Sequence, residues 1–159
     1  GWDGVICLPG THTKWVHVSA GEVVSFRTAM TGELYALLSE HSVLRHSMRE
    51  GETESFEAAV ADALSRPERL AAELFTIRAA DLLEGRTGGR DRLSGLLIGA
   101  ELAAMRPFWL GQAVAVAGDG AQAVAYARAI GAQGVPVTQA RGEAVTLAGL
   151  TAAWRKWKG

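Results

Sequence analysis

The stretch Val5-Ile6-Cys7-Leu8-Pro9-Gly10-Thr11-His12-Thr13-Lys14-Trp15-Val16-His17-Val18 decides how the chain is read. An apolar run enters a polar turn at residues 9–14, and a second apolar run leaves it. Short apolar runs bounded by Pro and Gly read as buried strands joined by a tight connection. The turn itself is dense in small and hydrogen-bonding groups. Gly10 lets a ligand approach the backbone closely. Thr11 and Thr13 bring hydroxyls, and Lys14 brings a mobile positive charge. Such a set can hold a phosphate group. A plain Pro-Gly turn with solvated polar residues gives the same pattern, so the residues alone leave both readings open.

Working outward, residues 5–9 are expected to form one strand, 15–19 the return strand and 23–28 a third, with Ala20-Gly21-Glu22 as the turn. The three make an antiparallel meander. Thr31 reads as a helix N-cap, with Glu33 near the positive end of the helix dipole and Leu34, Leu37 and Leu38 on one face. Residues 42–52 read as irregular and exposed. Helical spacing resumes after Thr53 through Phe56, Val60, Ala63 and Leu64. Pro67 suits the first turn of the next helix, which carries Leu70, Leu74 and Ile77 and stops near Gly85. Residues 86–90 read as a loop.

From Asp91 a strongly apolar helix carries Gly95-Leu96-Leu97-Ile98-Gly99. Glycines four apart share a helix face and permit close packing or close approach of a ligand. Residues 113–117 read as a short buried strand, Gly118-Asp119-Gly120 as the turn after it, and Ala121 to Ile130 as a helix closed by Gly131. A strand, glycine turn and helix can bind a nucleotide at the strand's carboxyl end, though such turns also occur for geometry alone. Val135-Pro136-Val137 reads as a last strand at a sheet edge, because proline cannot serve a central ladder. Residues 142–156 read as a final helix with Val145, Leu150 and Trp154 among its apolar positions.

At 159 residues the chain has the length of one domain with a real core. It is 48% hydrophobic and 21% charged, which excludes a disordered chain. A formal net charge of -1 offers no field for nucleic acid or an anionic membrane. The single cysteine, Cys7, reads as a small buried hydrophobe in a reducing, cytoplasmic compartment. No apolar run approaches a membrane span, and no signal peptide opens the chain. The start Gly1-Trp2-Asp3-Gly4, without a methionine, suggests a piece of a longer protein. Trp154 and Trp157 are expected to pack on something outside the chain. No Walker-type loop and no nucleophile elbow occur. His12, His17, His41 and His46 lack metal spacing with cysteine or acidic partners, so no protein metal site is expected. Mg²⁺ held by phosphates and water would leave little trace.

The run Leu8-Pro9-Gly10-Thr11-His12-Thr13-Lys14-Trp15 resembles the corresponding segment of the bacterial 2-dehydro-3-deoxygalactonokinases. Met30-Thr31-Gly32-Glu33-Leu34-Tyr35-Ala36-Leu37-Leu38 and Leu93-Ser94-Gly95-Leu96-Leu97-Ile98-Gly99-Ala100-Glu101-Leu102 do so as well, in matching order and spacing. The resemblance implies an α/β fold of the sugar-kinase, hexokinase and actin-like ATPase type, with two lobes and ATP in the cleft between them. The expected architecture is a mixed sheet opened by the antiparallel meander, with helices packed on it.

What the resemblance implies for function follows residue by residue. Gly10, Thr11, Thr13 and Lys14 would approach the β- and γ-phosphates of ATP, and Mg²⁺ would bridge phosphate oxygens. His12 would contact phosphate or hold the loop. Gly118, Asp119 and Gly120 look like the adenosine motif, with Gly99 and Gly95 toward the adenine side. Thr31, Gly32 and Glu33 would shape the cleft floor or cap a helix, and the cap is favoured. Such kinases are about twice this length, as two domains require. Their first phosphate loop, of the Asp-x-Gly-Thr type, has no counterpart here. Residues 1–159 therefore look like the carboxyl-terminal, nucleotide-binding lobe. The catalytic base and most substrate contacts are expected in an amino-terminal lobe, so no catalytic residue is assigned. The implied reaction moves the γ-phosphate of ATP to the 6-hydroxyl of 2-dehydro-3-deoxy-D-galactonate. Alternatives are a kinase of the same fold for another sugar or sugar acid, and a non-catalytic nucleotide-binding module. The lobe alone is expected to lack activity, and to form a homodimer that covers apolar inter-lobe surface.

Overall fold

The hairpin read from the sequence is present and sits at the centre of a sheet. Strand β1 (Gly4–Leu8) pairs antiparallel with β2 (Thr13–Ser19), in a register running from Gly4↔Val18 to Leu8↔Lys14. The computed structural model describes residues 2–51 and 54–158. Strand β3 (Glu22–Ala29) follows β2 through Ala20 and Gly21, whose φ angles are 52° and 79°. Positive φ at both central positions is the type I′ geometry that joins antiparallel strands. Strands β4 (Val114–Ala117) and β5 (Val137–Ala140) complete a five-stranded sheet in the order β3-β2-β1-β4-β5. β4 runs parallel to β1, with Cys7 opposite Val116, and β5 runs parallel to β4. The sheet is therefore mixed, and β1 is the strand at which antiparallel pairing gives way to parallel pairing.

By its internal contacts the chain divides into two compact units. One holds residues up to Gly10, Lys14–Arg27 and the chain from Phe108 onward. The other holds Thr11–Thr13 and Thr28–Pro107. In the first, Val5, Cys7, Trp15, Val114 and Val116 are buried on the sheet, and Cys7 takes part in no disulfide. Parallel strands need a crossover, and helix α6 (Gly120–Gly131) supplies it between β4 and β5. It buries Ala123, Tyr126, Ala127, Ala129 and Ile130 and packs on both strands.

The second unit is helical: α1 (Thr31–His41), α2 (Glu54–Ser65), α3 (Leu70–Glu84) and α4 (Gly89–Ala104). Its core joins Leu44, Ala59, Ala63, Ile77, Leu93, Leu96 and Leu97. α4 lies backbone-close against α2. A Cβ at Gly95 would fall 2.5 Å from the Phe56 carbonyl oxygen, and one at Gly99 would fall 2.5 Å from that of Val60. The glycine pair is what lets the two helices meet. A short helix α5 (Arg106–Trp109), not anticipated from the sequence, buries Trp109. Helix α7 (Gly142–Lys158) ends the chain and buries none of its described residues.

Several expectations are corrected. Residues 42–52 are irregular and exposed only in part: Val43–Ser47 form a 3₁₀ turn that buries Leu44 and Ser47, residues 48–51 carry no regular element with 49–51 exposed, and residue 52, like Thr53, lies outside the described residues. The Ser47 hydroxyl donates to Asp81 Oδ2 at 2.7 Å, and Arg78 and Arg49 pair with the same carboxylate at 2.9 and 3.3 Å. The inward face of α1 is Thr31, Tyr35 and Leu38, while Leu34 and Leu37 are exposed. β5 begins at Val137 because Pro136 has no N–H to give the ladder; its carbonyl still accepts the Val114 N–H at 3.3 Å. α4 starts at Gly89, so only residues 86–88 of the expected loop remain.

Candidate functional site

The polar turn is shorter than the sequence suggests. β2 takes up Thr13 and Lys14, leaving Pro9 to His12 as the connection. Thr13 is wholly buried at the start of β2, whereas Thr11, His12 and Lys14 are exposed and Gly10 is half-buried. The turn thus leaves the carboxyl end of β1.

Gly118, Asp119 and Gly120 leave the carboxyl end of β4, the parallel neighbour of β1. The two turns meet. A Cβ on Gly118 would lie 3.7 Å from Cδ of Pro9. Gln122, in the first turn of α6, donates from Nε2 to the Gly10 carbonyl at 3.0 Å. The Gly118 N–H donates to the Ala140 carbonyl at 3.1 Å, which fixes this turn to the end of β5. In open α/β sheets, ligands gather outside the carboxyl ends of strands where the pairing pattern switches. A helix N-terminus there favours an anion.

Asp119 precedes α6 at its N-cap, yet its side chain makes no capping bond to that helix. Its Oδ2 accepts the Glu143 N–H at 3.1 Å instead, at the start of α7. The carboxylate is therefore engaged with an N-terminal turn, where negative charge is favoured.

The other unit holds Thr11 to Thr13 and the start of α1. Thr31 is not the N-cap: Met30 occupies that position and no side chain caps the helix. The Glu33 N–H, one of the helix's orphan donors, goes to the Thr11 carbonyl at 2.9 Å. A glutamate three residues into a helix often reaches back to its own cap. Here Glu33 Oε2 meets His12 Nε2 at 2.6 Å. Gly99 lies in this unit with its bare face against α2, so packing accounts for the glycine there.

Together, Gly10, Thr11, His12 and Lys14 present backbone, hydroxyl, imidazole and ammonium groups at one turn. Of the bonds named here, two use the carbonyls of Gly10 and Thr11, and the third engages the His12 imidazole. The donor set suits an anion such as a phosphate. Among the described residues no cluster of three His, Cys, Asp or Glu could hold a metal, and no helix is long and apolar enough to cross a membrane. Sequence reasoning missed Gln122 and the reach of Glu33 to His12. Gln122 carries no pattern of its own, and only the parallel pairing of β1 and β4 brings it to Gly10.

Comparison with known proteins fits this arrangement. The 2-keto-3-deoxy-galactonokinase family model (DGOK) matches residues 1–153. A Rhizobium meliloti (strain 1021) protein described as a probable 2-dehydro-3-deoxygalactonokinase, DgoK1, is 37% identical over 159 residues, covering 95% of this chain and 52% of its own. The 2-dehydro-3-deoxygalactonokinase of Escherichia coli (strain K12) is 36% identical over 148 residues, covering 90% of this chain and 50% of its own. A solved Sinorhizobium meliloti protein described as a 2-dehydro-3-deoxygalactonokinase superposes with a TM-score of 0.89 at 34% identity, covering 97% of this chain and 52% of that one. The chain thus spans about half the length of the relatives it matches. The mixed sheet with helices packed on it is that of a lobe of the actin- and hexokinase-like ATPase fold. By the match of its strands, both turns and most of its helices, the chain belongs to the 2-keto-3-deoxy-galactonokinase family.

Proposed function

We propose that this chain is the nucleotide-binding, carboxyl-terminal lobe of an ATP-dependent sugar-acid kinase, whose other lobe is supplied by the half of the relatives' length that the chain does not span. The reaction is transfer of the γ-phosphate of ATP to the 6-hydroxyl of 2-dehydro-3-deoxy-D-galactonate. The observation that carries the reading is the 3.0 Å bond from Gln122 Nε2 to the Gly10 carbonyl, which joins the two glycine turns at the carboxyl ends of adjacent parallel strands. The acceptor comes from the relatives' names.

On this reading Gly10, Thr11 and Lys14 hold the phosphates, with Thr13 supporting them from the buried start of β2 and His12 from the exposed tip. Gly118, Asp119 and Gly120 line the adenosine side. Bound ATP with Mg²⁺ supplies the phosphoryl group and the counter-charge on its oxygens. The chain's own residues orient that group and stabilise negative charge through N–H, hydroxyl and ammonium donors. The catalytic base is assigned to the other lobe.

The test is ATP-dependent phosphorylation of 2-dehydro-3-deoxygalactonate by the full-length gene product and by this chain side by side. Turnover by the full-length protein alone is the expected result. ATP consumption with a different sugar acid would keep the lobe and replace the acceptor. No consumption with any acceptor would leave a nucleotide-binding module.

A further inference from the structure

Resting on the phosphate-turn reading above, we propose that Glu33 is a positioning residue that sets the tip of the turn through Thr11 and His12. A polar tip between two strands is ordinarily the most mobile part of a hairpin. This tip is held at consecutive residues. The Gly10 carbonyl accepts from Gln122 at 3.0 Å. The Thr11 carbonyl accepts from the Glu33 N–H at 2.9 Å. His12 Nε2 meets Glu33 Oε2 at 2.6 Å.

Glu33 therefore engages the turn twice, once with its main chain and once with its carboxylate. The main-chain bond lets the turn act as the missing cap of α1, which explains why neither Met30 nor Thr31 caps it. The side-chain bond fixes the residue beside the one so anchored. His12 and Glu33 remain about half exposed, at 50% and 40%. An ion pair in that setting adds little to global stability. Its consequence is the placement of the Thr11 and His12 backbone, to which phosphate binding is sensitive, since a displacement of about 1 Å costs on the order of a hundredfold in rate. Glu33 touches no reacting atom on this reading. It acts through His12 and Thr11.

The experiment is a double-mutant cycle in the full-length gene product, with His12→Ala, Glu33→Ala and the double variant. Each single change should raise KM for ATP roughly tenfold, a smaller loss than a full misplacement gives. The double should add nothing further, while KM for the acceptor and the urea midpoint hold. Glu33→Gln, which keeps an acceptor oxygen, should recover part of the loss. Multiplicative effects in the double variant would overturn the proposal, as would a Glu33→Ala effect seen only as a lower urea midpoint. Amide hydrogen exchange at residues 11–13 supplies a readout that needs no turnover, and Glu33→Ala should speed it roughly tenfold. Faster exchange in a protein that consumes no ATP would sink the kinase reading and keep the positioning role. Unchanged exchange would sink the positioning role itself.

Discussion

The carboxylate of Asp119 caps a helix that begins 23 residues after it: Oδ2 accepts the Glu143 N–H at 3.1 Å, at the first turn of α7 (Gly142–Lys158). A Cβ on Gly142 would lie 2.9 Å from the same oxygen, so the approach depends on that glycine. Removing a capping oxygen costs about 1 kcal/mol, and a helix that buries none of its described residues has little else to hold its first turn. Asp119→Ala should therefore fray the start of α7. Hydrogen exchange at residues 143–146 should quicken, while exchange in β4 stays at its original rate. Asp119→Asn, which keeps an acceptor oxygen, should restore most of the protection.

Gly95 and Gly99 give the sharpest test of the packing between α2 and α4. Alanine raises helix propensity by about 1 kcal/mol over glycine. At Gly95, however, its methyl would meet the Phe56 carbonyl at 2.5 Å and the Ala59 Cβ at 2.7 Å. Backbone cannot yield as a side-chain end can, and overpacking costs about 1–3 kcal/mol. Gly95→Ala should lower the urea midpoint despite the better propensity. Gly131→Ala, at the end of α6 with nothing within 4 Å, should hold or raise it. Equal shifts at the two sites would contradict the close approach.

Asp81 makes acid sensitivity a local property of the helical unit. Hydrogen bonding from the Ser47 hydroxyl, and then the charges of Arg49 and Arg78, hold its carboxyl below the usual value of 3.8 against the opposing effect of burial. A carboxyl depressed in the folded state stabilises at pH above its unfolded value and loses that contribution as pH falls through the folded one. Ser47→Ala should thus lower the urea midpoint at pH 7. The gap to the parent should begin to narrow as pH drops below about 4 and close once pH passes the depressed folded value, below which the carboxyl is protonated in both states. A gap that is flat from pH 7 to pH 2 would show that Ser47 acts by packing alone.

Most of the fold was legible because the strands and the long helices announce themselves by period. The apolar runs around Cys7 and Val116 and the turn at Ala20-Gly21 placed four of five strands to within about two residues. The resemblance in Leu8–Trp15 then supplied the family. What stayed hidden depends on contacts between distant parts of the chain. Residues 42–51 carry no helical period, yet Ser47 is buried because Asp81 and Arg78 meet it from α3. Thr31 has the chemistry of an N-cap, but the Thr11 carbonyl reaches the Glu33 N–H first. Gln122 and Asp119 look like ordinary first-turn residues until β4 and β5 bring Gly10 and Glu143 to them.

Helix α7 carries Leu147, Leu150, Trp154 and Trp157 at spacings of three, four and three residues, which puts all four on one stripe. Such a stripe ordinarily marks the buried face of a helix. Here the four are 58%, 63%, 55% and 83% exposed, and Lys158 lies over the Trp154 ring at 4.8 Å. Substitutions at exposed positions away from caps and networks change stability by about 0.5 kcal/mol or less. Leu150→Ser and Trp157→Ser should accordingly leave the urea midpoint of this chain within that range. Ile130→Ser, at a fully buried position in α6, should cost several-fold more, since it removes a packed side chain and buries a hydroxyl. A Leu150→Ser loss as large as that at Ile130 would mean that the apolar stripe of α7 is covered within the chain in solution.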